Sequence, residues 1–242
     1  GQEIPCEVRL VRLPSSSSRL IRGSITDITE RKRAEFLAVG ERRVFERITG
    51  NAELPDTLEA IAETAERVTP DALCSVSLYD PAGNVLRQAA GRRLPQHFQL
   101  ALQAIEVGPR NGSCAAAVYL QRQVVVGEIA RDALWDELRA PALAAGLRAC
   151  WSTPIWASDG RVLGTVALYF HQPRSPLPRD FELTGRLTAL AGIAIERAQA
   201  EEALRASENR FRTLFENVVE GVYRATADGR LESANPALVD ML

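Results

Sequence analysis

The sequence has few of the features that mark secreted, metal-binding or membrane-spanning proteins. It contains four cysteines and two histidines in 242 residues. Cys6, Cys74, Cys114 and Cys150 are too far apart in sequence to form a paired metal-ligand motif, so we expect free thiols and no metal site. No apolar run approaches the length of a membrane span, and no signal peptide opens the chain. We therefore expect a cytoplasmic protein without direct membrane contact.

Charge and motif content exclude further classes of protein. The formal net charge is only −2, which argues against a nucleic-acid-binding surface. No Ser-His-Asp order, pair of catalytic carboxylates or phosphate-binding loop stands out, so we expect no catalytic activity and can assign no cofactor. The hydrophobic fraction of 46% is enough to bury a core. The length suits one large domain or two small ones.

One stretch predicts the centre of the fold. Residues 149–156 and 162–170 are apolar runs rich in β-forming residues, and the turn Ala157-Ser158-Asp159-Gly160 separates them. Apolar runs on either side of an Asp-Gly turn indicate a hairpin. The second run has little polar alternation, which is typical of a strand covered on both faces. We expect it in the middle of a sheet, with helices on one face and a cavity or lid on the other.

Two amphipathic segments predict connecting helices. Residues 27–30 resemble a capping-box helix start, and apolar residues follow at alternating spacings of three and four. Residues 180–215 are helix-compatible without a proline, which is far longer than an average globular helix. We predict a dimer seam on these helices; an alternative for the first is a surface helix packed on its own domain. The predicted seam residues are Leu37, Val44, Leu187, Leu190 and Ala194.

A loop at residues 108–114 leads into a predicted short helix and supplies candidate site residues. Ser113 could cap that helix, whose amide groups could receive an anion. Cys114 and Cys150 could sense redox state, the alternative being small buried thiols. An arginine could hold an anion or form an exposed ion pair, and tryptophans could line a pocket or belong to the core. The predicted ligand-binding set is Arg110, Ser113, Cys114, Trp135, Trp151 and Tyr169.

Five segments of the middle region carry a family resemblance. They are Gly-Ser-Cys at 112–114, Val-Val-Val at 124–126, the predicted helix around Trp135, Leu-Arg-Ala-Cys-Trp-Ser-Thr-Pro-Ile at 147–155 and Gly-Arg-Val-Leu-Gly-Thr at 160–165. This region resembles a GAF domain of the type found between PAS domains in bacterial signalling proteins. The resemblance implies an α+β fold with a six-stranded antiparallel sheet. It places the N- and C-terminal helices on one face, a pocket with short helices on the other, and long connector helices beyond.

Both ends of the chain resemble parts of PAS domains. Two short strands followed by Asp27-Ile28-Thr29 resemble the last hairpin and exit motif of that family, which implies a signal-relay role for the triplet. Residues 208–230 and Ser-Ala-Asn-Pro-Ala at 233–237 resemble the opening of a second PAS domain. The expected parts are a PAS end at 1–30, a linker helix at 31–47, a GAF domain at 48–197, a second linker helix at 198–216 and a PAS start at 217–242.

These resemblances imply a non-catalytic sensory module that relays signals through dimeric connector helices. The parent protein would be a bacterial sensor histidine kinase or a cyclic-di-GMP signalling protein, with its output enzyme outside this chain. We expect a homodimer through the terminal helices and leave a small-molecule ligand open. One alternative is a ligand-free dimerisation spacer between PAS domains. Another is a thiol-based free methionine sulfoxide reductase, which would need Cys114 or Cys150 near a second thiol.

Overall fold

The computed structural model describes residues 4–14 and 21–241, and it divides the chain into two compact units, residues 1–194 and 195–242. The strands are β1 Cys6–Arg12, β2 Ile21–Asp27, β3 Ala72–Asp80, β4 Val85–Ala90, β5 Ile105–Glu106, β6 Val124–Val126, β7 Ala149–Trp156, β8 Val162–Phe170, β9 Tyr223–Ala225 and β10 Leu231–Ala234. The α-helices are α1 Thr29–Thr49, α2 Leu54–Val68, α3 Gln96–Ala101, α4 Gly112–Leu120, α5 Arg139–Ala144, α6 Pro178–Asn217 and α7 Pro236–Met241. Two short 3-10 turns cover Ile129–Arg131 and Ala133–Trp135.

A six-stranded antiparallel sheet forms the centre of the first unit. Its strand order is β5-β4-β3-β8-β7-β6, so β8 lies between β3 and β7. The predicted hairpin is confirmed, because β7 and β8 pair directly through the Asp-Gly turn. The predicted central position of its second strand is confirmed too. This is the α+β architecture that the sequence predicted, with α2 and α6 on one face of the sheet and α4 on the other.

The central strand β8 is buried on both faces, as its apolar sequence predicted. Tyr169 belongs to the core under α4, and Phe170 packs on the other face against Trp151, at 4.4 Å between ring centroids. Successive side chains of a strand point to opposite faces, so neighbouring residues on β8 serve different layers. The sheet thus separates two cores that share one backbone.

Helices α1 and α2 form an antiparallel pair. Arg43 on α1 and Glu63 on α2 are 2.7 Å apart. Close packing at Gly40 brings the backbone of α1 against Thr64, which would lie 2.2 Å from an added Cβ. The N-terminus of α1 differs from the predicted capping box, because Ile28 occupies the N-cap position and has no side-chain cap hydrogen bond.

The predicted dimer seam residues are mostly interior to this chain. Leu37, Val44, Leu187 and Ala194 are buried, and Leu190 is half-buried. These four residues are already covered within a single chain, and their assignment to an intermolecular surface stays a prediction. A heptad-like pattern marks an apolar helix face but does not say whether another chain covers it. The dimer itself stays a prediction.

The N-terminal hairpin pairs β1 with β2 in antiparallel register, with Cys6 opposite Asp27. All described residues of both strands are exposed. Residues 15–20, which connect the two predicted strands, lie outside the described residues. The assignment of this hairpin to a PAS domain remains a prediction.

Asn235 organises the second unit. Its side-chain nitrogen donates to the carbonyl oxygen of Glu220 at 2.8 Å, and its side-chain oxygen accepts from the amides of Val222 and Leu238 at 2.8 and 3.1 Å. The side chain is fully buried, and β9 pairs with β10 beside it. The Ser-Ala-Asn-Pro-Ala segment at 233–237 therefore forms an ordered turn, which the hydrogen bonds of one asparagine hold in place. No helix within the described ranges is both long and apolar enough to cross a membrane.

We predict opposite effects for two glycine-to-alanine substitutions on α6. An added Cβ at Gly192 would lie 2.6 Å from the carbonyl oxygen of Trp156, whereas Gly185 has nothing within 4 Å. Gly192→Ala should lower the free energy of unfolding by about 1–3 kcal/mol, because the backbone of β7 must shift. Gly185→Ala should raise it by up to about 1 kcal/mol through helix propensity. Urea unfolding of both variants checks this; equal stability would contradict the close packing of α6 on β7.

Candidate functional site

The space between α4 and the sheet contains a group of uncharged polar side chains, which we call the thiol–hydroxyl cluster. Cys150 and Ser152 are two residues apart on β7 and therefore share a face. Their partners on β8 are Tyr169 and Ala167, which present the same face of the sheet. Helix α4 brings Cys114 over them. The members of the cluster are Ser75, Cys114, Cys150, Ser152, Thr165 and Tyr169, and all of them are buried.

The cluster is a continuous network of contacts. The Sγ atom of Cys114 lies 3.2 Å from Oγ of Ser152 and 3.6 Å from Oη of Tyr169. The Sγ atom of Cys150 lies 3.7 Å from the same oxygen of Ser152. Tyr169 continues the network to Oγ of Ser75 at 3.1 Å. Two free thiols therefore share one hydroxyl group inside the core.

The pKa values of the two thiols in this cluster are shifted in opposite directions. Hydrogen bonding from Cys150 is the largest cause that lowers the pKa of Cys114 to about 6, with further contributions from Ser152 and Tyr169, and burial opposes the shift. Burial is the largest cause that raises the pKa of Cys150 well above its usual value. Hydrogen-bond donors stabilise an anion, whereas a low dielectric penalises it. The first proton of the pair therefore leaves Cys114.

Trp135 and Ser113 fix the start of α4. The indole Nε1 of Trp135 donates to Oγ of Ser113 at 2.9 Å, and that hydroxyl donates to the carbonyl oxygen of Cys150 at 3.4 Å. Ser113 does not cap the helix, because Asn111 occupies the N-cap position and Ser113 lies inside the first turn. The buried hydroxyl thus joins α4, a 3-10 turn and β7. Four of the predicted ligand-binding residues, Ser113, Cys114, Trp135 and Tyr169, come together here.

The other two predicted ligand-binding residues lie elsewhere. Arg110 is exposed and makes an ion pair with Asp136, its Nε lying 3.1 Å from Oδ2; this bond lowers the pKa of the Asp136 carboxyl. Trp151 is buried. It lies between Cys150 and Ser152 on the same strand, so its side chain points to the opposite face of the sheet. The structure gives Arg110 the ion-pair alternative and Trp151 the core alternative.

A second group of interacting side chains lies on the opposite face of the sheet, and no sequence pattern predicted it. Asp180, in the first turn of α6, is 1% exposed; Arg33 from α1 lies 3.6 Å from its Oδ1 and Arg174 lies 3.7 Å from its Oδ2. The guanidinium of Arg174 covers Trp151 and Phe170, at 5.4 and 4.7 Å from the ring centroids. We call Arg33, Arg174 and Asp180 the Asp180 clamp. It joins α1, α6 and the sheet.

The predicted relay triplet ends β2 and begins α1. Oδ1 of Asp27 accepts hydrogen bonds from the amide and the hydroxyl of Thr29 at 2.8 and 2.6 Å. These bonds lower the pKa of the Asp27 carboxyl. The amide of Ile28 donates to the carbonyl oxygen of Pro5 at 3.0 Å, which anchors the helix start to the N-terminal hairpin. The triplet therefore fixes where the strand becomes a helix.

Sequence signals for the missed residues differ in strength. Ser152 lies two residues after Cys150 in an otherwise apolar strand, and this spacing predicts a row of small polar side chains on one face of β7. Asp180 lies in the first turn of a helix that begins at Pro178, a favoured place for an acidic residue. Arg33 and Arg174 carried no local signal, because their role depends on elements far apart in sequence. Within the described residues, no three His, Cys, Asp or Glu side chains group as metal ligands.

We predict that Ser152→Ala raises the pKa of Cys114 above about 6, because the lost hydroxyl donor had favoured the thiolate. The measurement is the ultraviolet absorbance of the thiolate as a function of pH, in a Cys6→Ser background that removes the exposed thiol. Thr153→Ala is the matched control, since it lies on the other face of the same strand. An unchanged titration in Ser152→Ala would contradict the contact between this hydroxyl and Cys114.

Comparison with known proteins agrees with this architecture. A GAF domain model matches residues 51–196 and a PAS domain model matches residues 209–242. The methyl sulfide methyltransferase-associated sensor of Methanosarcina acetivorans is 38% identical over 221 residues. That alignment covers 91% of this chain and 22% of the sensor, so the chain spans about a fifth of this relative's length.

Solved structures share the fold. A domain assigned to a two-component sensor histidine kinase of Sinorhizobium meliloti 1021 is 22% identical, with a TM-score of 0.51 over 62% of this chain and 95% of that one. The free methionine-R-sulfoxide reductase of Neisseria meningitidis is 21% identical, with a TM-score of 0.57 over 74% of this chain and 96% of that one. Since the GAF domain model covers more than half of the sequence, the chain belongs to the GAF domain family, and the segment that follows is similar to a PAS domain.

Proposed function

We propose that this chain is a non-catalytic sensory module that changes the packing of its entry helix α1 against its exit helix α6. The parent protein would be a sensor histidine kinase or a cyclic-di-GMP signalling protein. The observation that supports this most directly is the Asp180 clamp, because one buried carboxylate contacts arginines from α1 and from the segment after β8. The relative in Methanosarcina acetivorans is named as a sensor, which is consistent with this role.

Ion pairs connect α1 to the start of α6 in parallel register. Positions further along α1 pair with positions further along α6, so the two helices run in the same direction. The pairs are Glu30–Arg179 at 3.0 Å, Arg33–Asp180 at 3.6 Å and Glu41–Arg186 at 2.6 Å. Exposed pairs contribute little stability each, but they set a register between two helices. If a change in the sheet moved Arg174, it would alter the buried pair Arg33–Asp180 and with it the register of the two helices.

We predict that Arg186→Glu changes the output of the full-length protein by about fivefold, which corresponds to a coupling of about 1 kcal/mol. The new carboxylate would repel Glu41 across the two helices, whereas Arg186 attracts it in the native chain. Adding Glu41→Arg should restore the native output, because the pair is re-formed with exchanged charges. The measurement is autophosphorylation or cyclic-di-GMP turnover of the three variants.

The control for this experiment is Glu202→Gln, an exposed change on α6 about four turns beyond the ion pairs with α1. Its output should equal that of the native protein. Equal output in all of the variants would contradict a relay through α1 and α6 and would favour the alternative of a passive spacer. A loss in Arg186→Glu that the second substitution does not reverse would also contradict the ion-pair register.

We propose that a second copy of this chain pairs along the exit helix, beyond the residues first predicted. Leu204, Phe211 and Leu214 are 61%, 69% and 68% exposed, and their spacings of seven and three fit an a/d stripe. Exposure of three large apolar side chains on one face of a helix to water is unfavourable, and covering them with a partner would stabilise the helix. A parallel copy presents the same stripe in register, so it is the occupant that this pattern fits.

We predict that Leu204→Glu with Phe211→Glu converts a dimer into a monomer, because like charges would face each other at the core of the helix pair. Analytical ultracentrifugation of the chain measures the mass. Asn209→Glu is the matched control, since it adds a charge on the opposite side of the same helix. A native chain that sediments as a monomer, or a double variant that stays a dimer, would contradict this pairing.

The reductase alternative meets one of its requirements and is opposed by another feature. Cys114 and Cys150 both contact Ser152, so the second thiol that this activity needs is close by. Both sulfurs are buried, however, with residue exposures of 4% and 0%, which leaves no route for a free amino acid in this conformation. Reduction of free methionine sulfoxide by the chain with a thiol reductant would establish that activity in place of the non-catalytic role.

A further inference from the structure

We propose that Cys114 and Cys150 form a reversible disulfide, which makes the thiol–hydroxyl cluster a redox-sensitive modification site. This inference does not depend on the relay between α1 and α6. It rests on the geometry of the cluster, where two thiols from different elements contact the same oxygen atom. The bond would join α4 to β7 and would close a loop between residues 114 and 150.

The two sulfurs lie on packed elements and contact the same hydroxyl oxygen, at 3.2 and 3.7 Å. Cys114 is in the first turn of α4, and Cys150 is the second residue of β7. Helix α4 packs on β7 through Ser113, whose hydroxyl donates to the carbonyl oxygen of Cys150. A disulfide needs Cα atoms roughly 4.4–6.8 Å apart, so it forms only between elements that already pack closely.

The surroundings of the pair favour thiol chemistry over an ordinary apolar core. Ser152 and Tyr169 both contact Cys114 through their hydroxyl groups. Thr165 is fully buried, and its hydroxyl helps to lower the pKa of Cys114. Its Oγ1 has no other partner among the described residues. Three hydroxyl groups therefore surround the Cys114 sulfur, where an apolar core would offer none.

The remaining cysteines are poorly placed to compete with this pair. Cys74 pairs with Leu168 in the sheet, whereas its neighbour Ser75 pairs with Ala167 on the cluster's face. Cys74 therefore points to the opposite face, and burial raises the pKa of its thiol well above the usual value. Cys6 is exposed on the N-terminal hairpin. Within the cluster, Cys114 is the more acidic thiol and so the first to react.

The oxidation is a two-electron step with a hydroperoxide as the oxidant. The Cys114 thiolate attacks the terminal oxygen of the hydroperoxide, the O–O bond breaks, and an alcohol or water leaves after protonation. The Cys150 sulfur then attacks the sulfur of the resulting sulfenic acid. The S–S bond forms, the S–O bond breaks, and the departing hydroxide combines with the Cys150 proton as water. A dithiol reductant returns both electrons and restores the two thiols.

The experiment treats the folded chain, in a Cys6→Ser background, with hydrogen peroxide and then alkylates the remaining thiols. Intact mass should show the loss of two hydrogens, and peptide mapping should find Cys114 joined to Cys150. Dithiothreitol should reverse the change. Cys150→Ser should abolish the cross-link and leave a sulfenic acid on Cys114 that dimedone traps. Cys74→Ser is the matched control and should retain the cross-link, since this thiol lies on the other face.

Several outcomes would overturn the proposal. They are a peroxide-treated chain that keeps both thiols, a cross-link that involves Cys74, and over-oxidation of Cys114 without any disulfide. Each of these results is read from the Cys6→Ser chain itself, so a further variant that fails to fold does not weaken the test. The outcome is also independent of the charge exchange between Glu41 and Arg186, because a disulfide can form in a module that relays nothing and be absent from one that does.

Discussion

Burial of β8 on both faces is the constraint on which the rest of the structure depends. A strand with water on one face could alternate polar and apolar residues, but β8 must fill two cores at once. Its backbone also comes so close to β3 at Gly164 that an added Cβ would lie 2.0 Å from the carbonyl oxygen of Ser77. These contacts fix β3, β8 and β7 as one rigid layer. Every other element packs against this layer or leads away from it.

The two faces of this layer have different chemistry. The face under α4 holds thiols and hydroxyls that hydrogen-bond to one another, and no ion pair contacts Cys114 among the described residues. The other face ends in the Asp180 clamp, where a buried carboxylate is paired with two arginines. The carboxylate accepts a hydrogen bond from the amide of Leu177 at 2.8 Å, and the two arginines offset its buried charge from 3.6 and 3.7 Å. The first face therefore offers groups that can exchange protons and electrons, and the second offers a charge that joins helices.

How much the sequence could predict depended on how local each signal was. The hairpin was predictable because an Asp159-Gly160 turn and an unbroken apolar run lie within a few residues of each other. Helix α6 was predictable from its length and its lack of proline. The face occupied by Trp151 was not, because alternation along β7 says which residues share a face but not which layer covers that face. The clamp was not either, since Arg33 and Asp180 meet only through the fold.

The predicted dimer seam shows the same limit from another side. Apolar residues at heptad spacing on α1 and α6 indicated covered faces, and four of the five residues are indeed buried. The pattern could not say that the cover comes from the same chain. The exposure of each side chain in the folded structure supplies that information, and the large apolar side chains exposed on α6 include Leu204, Phe211 and Leu214. For amphipathic helices, the sequence predicts that a face is buried, and only the fold tells which surface buries it.

The thiol–hydroxyl cluster lies on one face of β7, and the Asp180 clamp contacts the opposite face of the same strand. Cys150 and Ser152 face α4, and Trp151 between them packs under Arg174 on the other side. Adjacent strand residues share one peptide backbone, but each side chain rotates independently. The proposed bond between Cys114 and Cys150 would therefore reach Trp151 and Arg174 only if it moved the backbone of β7, and rotation of the two cysteine side chains alone would leave the Asp180 clamp in place.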